Sequence, residues 1–172
     1  MIDHFFYNFE INQSSKTPYV VMKAFKSIVF ALLATASVSI AAAGDFLTDF
    51  EAGKALAKKE NKSLLVKFTG SDWCPPCKML QKEVFSKEEF KTGVEKDFVV
   101  VVLDYPRMKE LPEAEKKANA EVAKEYKIKA YPTVLLMDAD GKVFKTMQGY
   151  QPGGVKPYLD MLGQSLKAKS FQ

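Results

Sequence analysis

Residues 68–78 read Phe-Thr-Gly-Ser-Asp-Trp-Cys-Pro-Pro-Cys-Lys and hold both cysteines and the single tryptophan of the 172-residue chain. An apolar run ends at Phe68 and a helix-compatible run from Lys78 to Phe85 follows. The Cys-x-x-Cys therefore lies where the loop after a strand becomes a helix. At that place the free first-turn N–H groups and the helix dipole favour an anion, so a Cys74 thiolate is stabilised, and the thiolate is the form that attacks disulfides. Cys77, three residues on, shares the helical face and lies within disulfide reach. Two other uses of the pair are weaker. A structural zinc site takes about four ligands, yet there is no further cysteine and the single histidine, His4, lies far upstream. A purely structural disulfide closing so small a loop constrains the unfolded chain little.

Trp73-Cys74-Pro75-Pro76-Cys77-Lys78 after an apolar strand, with Tyr131-Pro132-Thr133 far downstream before another strand, resembles the thioredoxin superfamily over residues 45–169. It is most similar to secreted thioredoxin-like proteins and to the periplasmic thioredoxin-like domain of transmembrane disulfide reductases, which also carry an acidic residue before the tryptophan. The resemblance implies an α/β fold of three layers, a mixed central sheet with helices on both faces. It implies catalysis by Cys74 as attacking and Cys77 as resolving cysteine, with no cofactor beyond their redox-active disulfide and no metal. It also implies a cis Pro132 facing the cysteines, and a client groove flanked by Trp73, Tyr131, Pro132 and Thr133. Client proteins with disulfides or thiols and a membrane or periplasmic electron donor are the partners expected.

Thioredoxins usually carry a buried aspartate in the strand before the motif, and the matching position here is Lys67. A lysine aimed inward would favour a thiolate, whereas one snorkelling outward is only a solvated strand residue, and the second is the expectation. Glu83 is a substitute base by position, and Lys78 a source of positive charge near Cys74. Pro75 and Pro76 have no N–H, which removes two first-turn donors and leaves mainly the amide of Cys77 for the Cys74 sulfur. A less stabilised thiolate means a more reducing couple, so a disulfide reductase is expected. An oxidase or isomerase of the same fold, or a non-catalytic binding module, stand as alternatives.

Residues 1–21 show no periodicity and read as an over-extended start, with Met22 as the true one. Residues 22–43 have a short basic segment, an apolar stretch and a small-residue end at Ala41-Ala42-Ala43, the form of a signal peptide cleaved after Ala43. The expected product is an exported, periplasmic domain spanning 44–172. A net charge of +4 on 25 basic and 21 acidic residues is too mild to suggest nucleic acid.

Along that domain the periodicity predicts a helix over residues 45–60 and a buried strand over 63–69. A capping box is expected at Ser86-Lys87-Glu88-Glu89. Val99 to Leu103 is a near-continuous β-branched run of a strand covered on both faces, the best choice for the centre of the sheet. Residues 105–112 form a long loop, read by default as a solvated insertion. The helix over 113–126 is expected to face the sheet with Ala114, Ala118, Val122 and Tyr126. A strand over 133–137, a hairpin turn at 138–141, an antiparallel partner over 142–148 and a closing helix over 155–168 complete the order.

Overall fold

The computed structural model describes residues 46–170, so the over-extended start and the signal peptide expected over residues 1–21 and 22–43 lie outside the described residues. The elements in chain order are α1 (Phe50–Glu60), β1 (Ser63–Thr69), α2 (Pro75–Leu80), a π-helical continuation (Gln81–Phe85), α3 (Glu88–Glu95), β2 (Phe98–Asp104), α4 (Glu113–Glu125), β3 (Thr133–Met137), β4 (Val143–Gln148) and α5 (Val155–Lys169). The strands lie in the order β2-β1-β3-β4. β1 pairs parallel with β2 and antiparallel with β3, and β3 pairs antiparallel with β4.

Alternation along the strands divides the apolar side chains between two cores. Leu65, Val100, Val134 and Leu136 meet Leu80, Phe85, Phe90, Val94 and Leu162, so α2, α3 and α5 cover one face. Leu64, Val66, Phe68, Val99, Val101, Leu135 and Met137 meet Phe50, Ala57 and Val122, so α1 and α4 cover the other. Each such side chain withdrawn from water contributes roughly 1.5–3 kcal/mol. This is the three-layer arrangement expected.

Four local expectations are corrected. The first helix begins at Phe50 and not near residue 45, because the Asp49 carboxylate accepts from the Ala52 N–H at 2.8 Å and caps it there. Upstream, Leu47 bridges to β2: its N–H donates to Val100 O and its carbonyl accepts from Val102 N. The β-branched strand is at the edge of the sheet and not its centre. Both its faces are covered all the same, and that coverage is what the apolar run reported; the number of strands flanking it leaves no such trace.

No capping box forms at residues 86–89. The Ser86 hydroxyl donates to Lys82 O, Ser86 ends the π-helical turn, and Lys87 takes the N-cap position with no side-chain hydrogen bond. On α4, Ala114 and Ala118 are exposed while Asn119 and Val122 are buried, so the inward stripe is rotated by about one residue. Asn119 is tolerated there because its Nδ2 donates to Asp104 O at 3.2 Å and its own carbonyl accepts from the Tyr105 hydroxyl at 2.7 Å.

Candidate active site

β1 delivers the chain to a tight turn at residues 70–73, and the turn is tied to the end of β2. The Ser71 N–H and hydroxyl donate to the two Asp104 carboxylate oxygens at 2.9 and 2.5 Å, and Cys74 N–H donates to Gly70 O at 3.0 Å. Gly70 is required here because a Cβ at this position would stand 2.4 Å from the Trp73 indole, which lies directly over it. The indole N–H donates to Tyr105 O at 2.8 Å, and the ring meets Tyr131 edge-on at a centroid distance of 5.7 Å.

Cys74 is the N-cap of α2, with extended backbone, and Cys77 sits one turn in. The two are joined by a disulfide with a Cα–Cα distance of 5.2 Å. The Cys77 amide donates to the Cys74 sulfur at 3.3 Å, while Pro75 and Pro76 occupy the first helical positions and contribute no donor. In this oxidised form Cys74 is only 3% exposed and Cys77 1%, so the first cysteine is more enclosed than a helix end suggests. Lys78 does not point its charge at the sulfur; its ammonium donates to Asp72 O at 2.8 Å.

The Tyr131-Pro132 peptide bond is cis, and the end of β3 places it beside the tryptophan. Trp73, Tyr105 and Tyr131 form one aromatic group, with 5.2 Å between the two tyrosine ring centroids. Burial pushes the Tyr131 and Tyr105 hydroxyls up, so both stay neutral proton donors. Pro132 and Thr133 are buried, and the Thr133 hydroxyl is already used by Ala130 O at 2.7 Å. Of the groove residues expected, Trp73 and Tyr131 are thus the half-exposed ones.

Lys67 does not snorkel. It is 1% exposed on a strand buried at every position, and its ammonium donates to Gln81 Oε1 at 2.5 Å under the ring of Phe85, 4.2 Å from the ring centre. Burial pulls its pKa down to about 8, against a smaller opposing pull from Asp104. Lys67 and Gln81 line a cleft of about 390 Å³ together with Cys77, Asp104 and Lys109. Glu83 is not part of that lining; its carboxylate accepts from the Tyr150 hydroxyl. Among the described residues no group of three or more His, Cys, Asp or Glu side chains could hold a metal ion.

Sequence reasoning left the 105–112 loop without contacts, and the structure supplies them. The Asp72 carboxylate accepts from the backbone N–H groups of Arg107, Met108 and Lys109 at 3.1, 2.7 and 2.9 Å. Burial pushes this carboxyl up, but these three N–H donors together with Asp72's own outweigh it and hold Asp72 below the usual carboxylate range. The Arg107 guanidinium then lies 3.8 Å from the Trp73 ring centre. The only advance sign was the pairing of an acidic residue before the tryptophan with an unusually long loop.

The chain matches the thioredoxin-like domain family over residues 50–160. It is 32% identical over 113 residues to the disulfide bond reductase DsbH of Chlamydia pneumoniae, covering 66% of this chain and 68% of that one. A solved DsbH oxidoreductase superposes with a TM-score of 0.66 at 29% identity, over 72% of this chain and 87% of that one. A thioredoxin from Thermus thermophilus shares the fold, with a TM-score of 0.55 at 21% identity over 70% and 86% of the two chains. With a Cys74–Cys77 disulfide at the start of a helix, a cis Tyr131-Pro132 bond whose tyrosine meets Trp73, and a family match over most of the described domain, this chain belongs to the thioredoxin-like family and is a thiol–disulfide oxidoreductase.

Proposed function

We propose that the protein is exported and works in the reducing direction, on disulfides of client proteins outside the cytoplasm. The observation that carries the direction is the donor set at Cys74: one amide, from Cys77 at 3.3 Å, where two prolines have removed the other nearby N–H groups. A thiolate with few donors is poorly stabilised, so the dithiol gives up its electrons readily. The Chlamydia relative, a disulfide bond reductase, agrees in direction. Export is supported by the basic, apolar and small-residue pattern of residues 22–43.

In this reading the Cys74 thiolate attacks one sulfur of a client disulfide, forming a Cys74–client disulfide as the other client sulfur leaves as a thiolate. Cys77 then attacks the Cys74 sulfur, the Cys74–Cys77 disulfide forms, and the second client thiolate leaves. Two electrons pass from protein to client, and a donor dithiol outside the cytoplasm restores the protein. Trp73 and Tyr131 flank the site of attack. Lys67 serves the second step: an ammonium in the cleft that Cys77 lines favours the Cys77 thiolate, the form that resolves the mixed disulfide.

Equilibration with glutathione tests the direction. A potential below about −220 mV agrees with a reductase, whereas one near −120 to −180 mV would make the protein an oxidase or isomerase. Trapping clients in cells with Cys77→Ser names the substrates, and the mass of the exported chain tests the expected start at Gly44. A retained 22–43 segment in membranes would replace export of a free domain with a tethered one.

A further inference from the structure

The lip of the active site carries a cation, Arg107, held in position over the Trp73 ring. Arg107 is exposed, and among the described residues its guanidinium takes part in no ion pair or hydrogen bond. Its position is nevertheless set from both ends. Asp72 holds the backbone of Arg107, Met108 and Lys109, and the face of Trp73 lies 3.8 Å under the guanidinium. A stacked guanidinium keeps its N–H groups in its own plane, with the outer edge free for a carboxylate.

Charges of both signs lie around it, and the acids among them have partners of their own. Lys78, next to the cysteine pair, reaches only a backbone carbonyl. The nearby carboxylates are occupied: Asp72 by three amides, Asp104 by Ser71 and by Lys109 at 3.3 Å. Glu110, the loop's own acid, is exposed and forms no ion pair with Arg107 among the described residues. Beside Arg107, Met108 is 76% exposed, an adaptable apolar contact on the same lip.

We propose that the 105–112 loop reads the client, with Arg107 binding a carboxylate carried next to the disulfide that Cys74 attacks. The substrates so selected are disulfides flanked by Asp or Glu. This rests on the reading that Cys74 is the attacking sulfur, but not on the net direction of electron flow. Arg107 never touches the sulfurs in this scheme; it orients and selects.

The test uses the full chain carrying Cys77→Ser, reduced, so that attack by Cys74 stops at the mixed disulfide. Three peptides, each holding one cysteine as a 2-thiopyridyl disulfide, differ only in a Glu, Gln or Lys beside it, and thiopyridone release gives the rate. The Glu peptide is expected to react roughly three- to fivefold faster than the Gln peptide, the scale of one exposed ion pair. The Lys peptide should be slowest, and the spread should shrink as salt rises. Arg107→Gln should bring the three rates together, and Arg107→Lys, which keeps the charge but not the planar fork, should keep part of the spread. An unchanged order in Arg107→Gln, no order in the parent, or an equal slowing of all three peptides would each overturn the proposal. Complete absence of reaction with every peptide would instead remove Cys74 as the attacking group, and this proposal with it.

Discussion

Lys67 Nζ donates to Gln81 Oε1 at 2.5 Å and sits over the ring of Phe85, so an ammonium on a fully buried strand rests on one amide oxygen and one ring face. Its pKa, lowered by burial to about 8 from 10.5, sets the sign of a pH effect. Between about pH 8 and 10.5 the unfolded chain binds the proton and the folded one does not, so stability rises with pH across that window. Below pH 8 the full cost applies, about 3 kcal/mol on the scale of 1.36 kcal/mol per unit. Lys67→Met, of similar volume, should therefore stabilise the oxidised protein at pH 7, with an advantage that fades towards pH 10.5. Urea midpoints at pH 7 and 10 measure it. If the two proteins keep a constant difference across that range, the buried charge is not what Lys67 costs. The same variant should resolve mixed disulfides more slowly, the mark of a residue kept for chemistry at the expense of stability.

Gly70→Ala should displace the indole. The new Cβ would stand 2.4 Å from the ring, and forcing an atom into so tight a contact costs typically 1–3 kcal/mol. Moving the ring breaks its hydrogen bond to Tyr105 O and its stack with Arg107. Trp73 is the chain's single tryptophan, so its emission reports the change directly. An unaltered spectrum together with unaltered stability would mean that the turn absorbs the methyl group without moving Trp73.

Much of the fold was legible because period and burial agree. β1 and β3 read out residue for residue from apolar runs bounded by turn residues. The redox pair was legible because its spacing, prolines and tryptophan are contiguous. What was hidden depends on contacts between distant segments. The position of β2 at the edge is a matter of pairing order, which the burial of its faces does not encode. Asn119 lay outside the stripe expected to face the sheet, and its burial rests on partners in a distant segment, Asp104 and Tyr105. Lys67 looked solvated because hydrophobicity alone prices an inward lysine as prohibitive, whereas Gln81 and Phe85 lower that cost. Arg107 could not be placed at all without the Asp72 clamp, which joins residues more than thirty positions apart.

The clamp itself makes a prediction about acid. Asp72 titrates below the usual carboxylate range, so its hold on the loop is present above the unfolded carboxyl pKa and is lost only as pH falls through the lower folded value. Amide signals of Arg107, Met108 and Lys109 should stay in place down to about pH 4 and move together below it. Asp72→Ala should release them at every pH and raise their exchange with solvent. Slow exchange at all three in that variant would show that Lys109–Asp104 and the stack on Trp73 hold the loop without Asp72.

Pro76→His should make the protein a stronger oxidant. The substitution returns one backbone N–H to the first turn beside the Cys74 sulfur, which now has the Cys77 amide alone, and adds an imidazole whose protonated form favours a thiolate. Both effects stabilise the reduced state, and stabilising the reduced state raises the reduction potential. A charge-assisted hydrogen bond contributes roughly 1.5–3 kcal/mol, and about 30 mV corresponds to 1.4 kcal/mol for a two-electron couple, so the rise should be on the order of 30–60 mV. Pro76→Ala separates the two causes, since it restores the N–H without the ring and should give the smaller rise. The Cys74 thiol pKa should fall in step, as read from thiolate absorbance against pH. If neither the potential nor the pKa moves in either variant, the missing donors at Pro75 and Pro76 do not set the redox poise, and the reducing direction loses the observation that carries it.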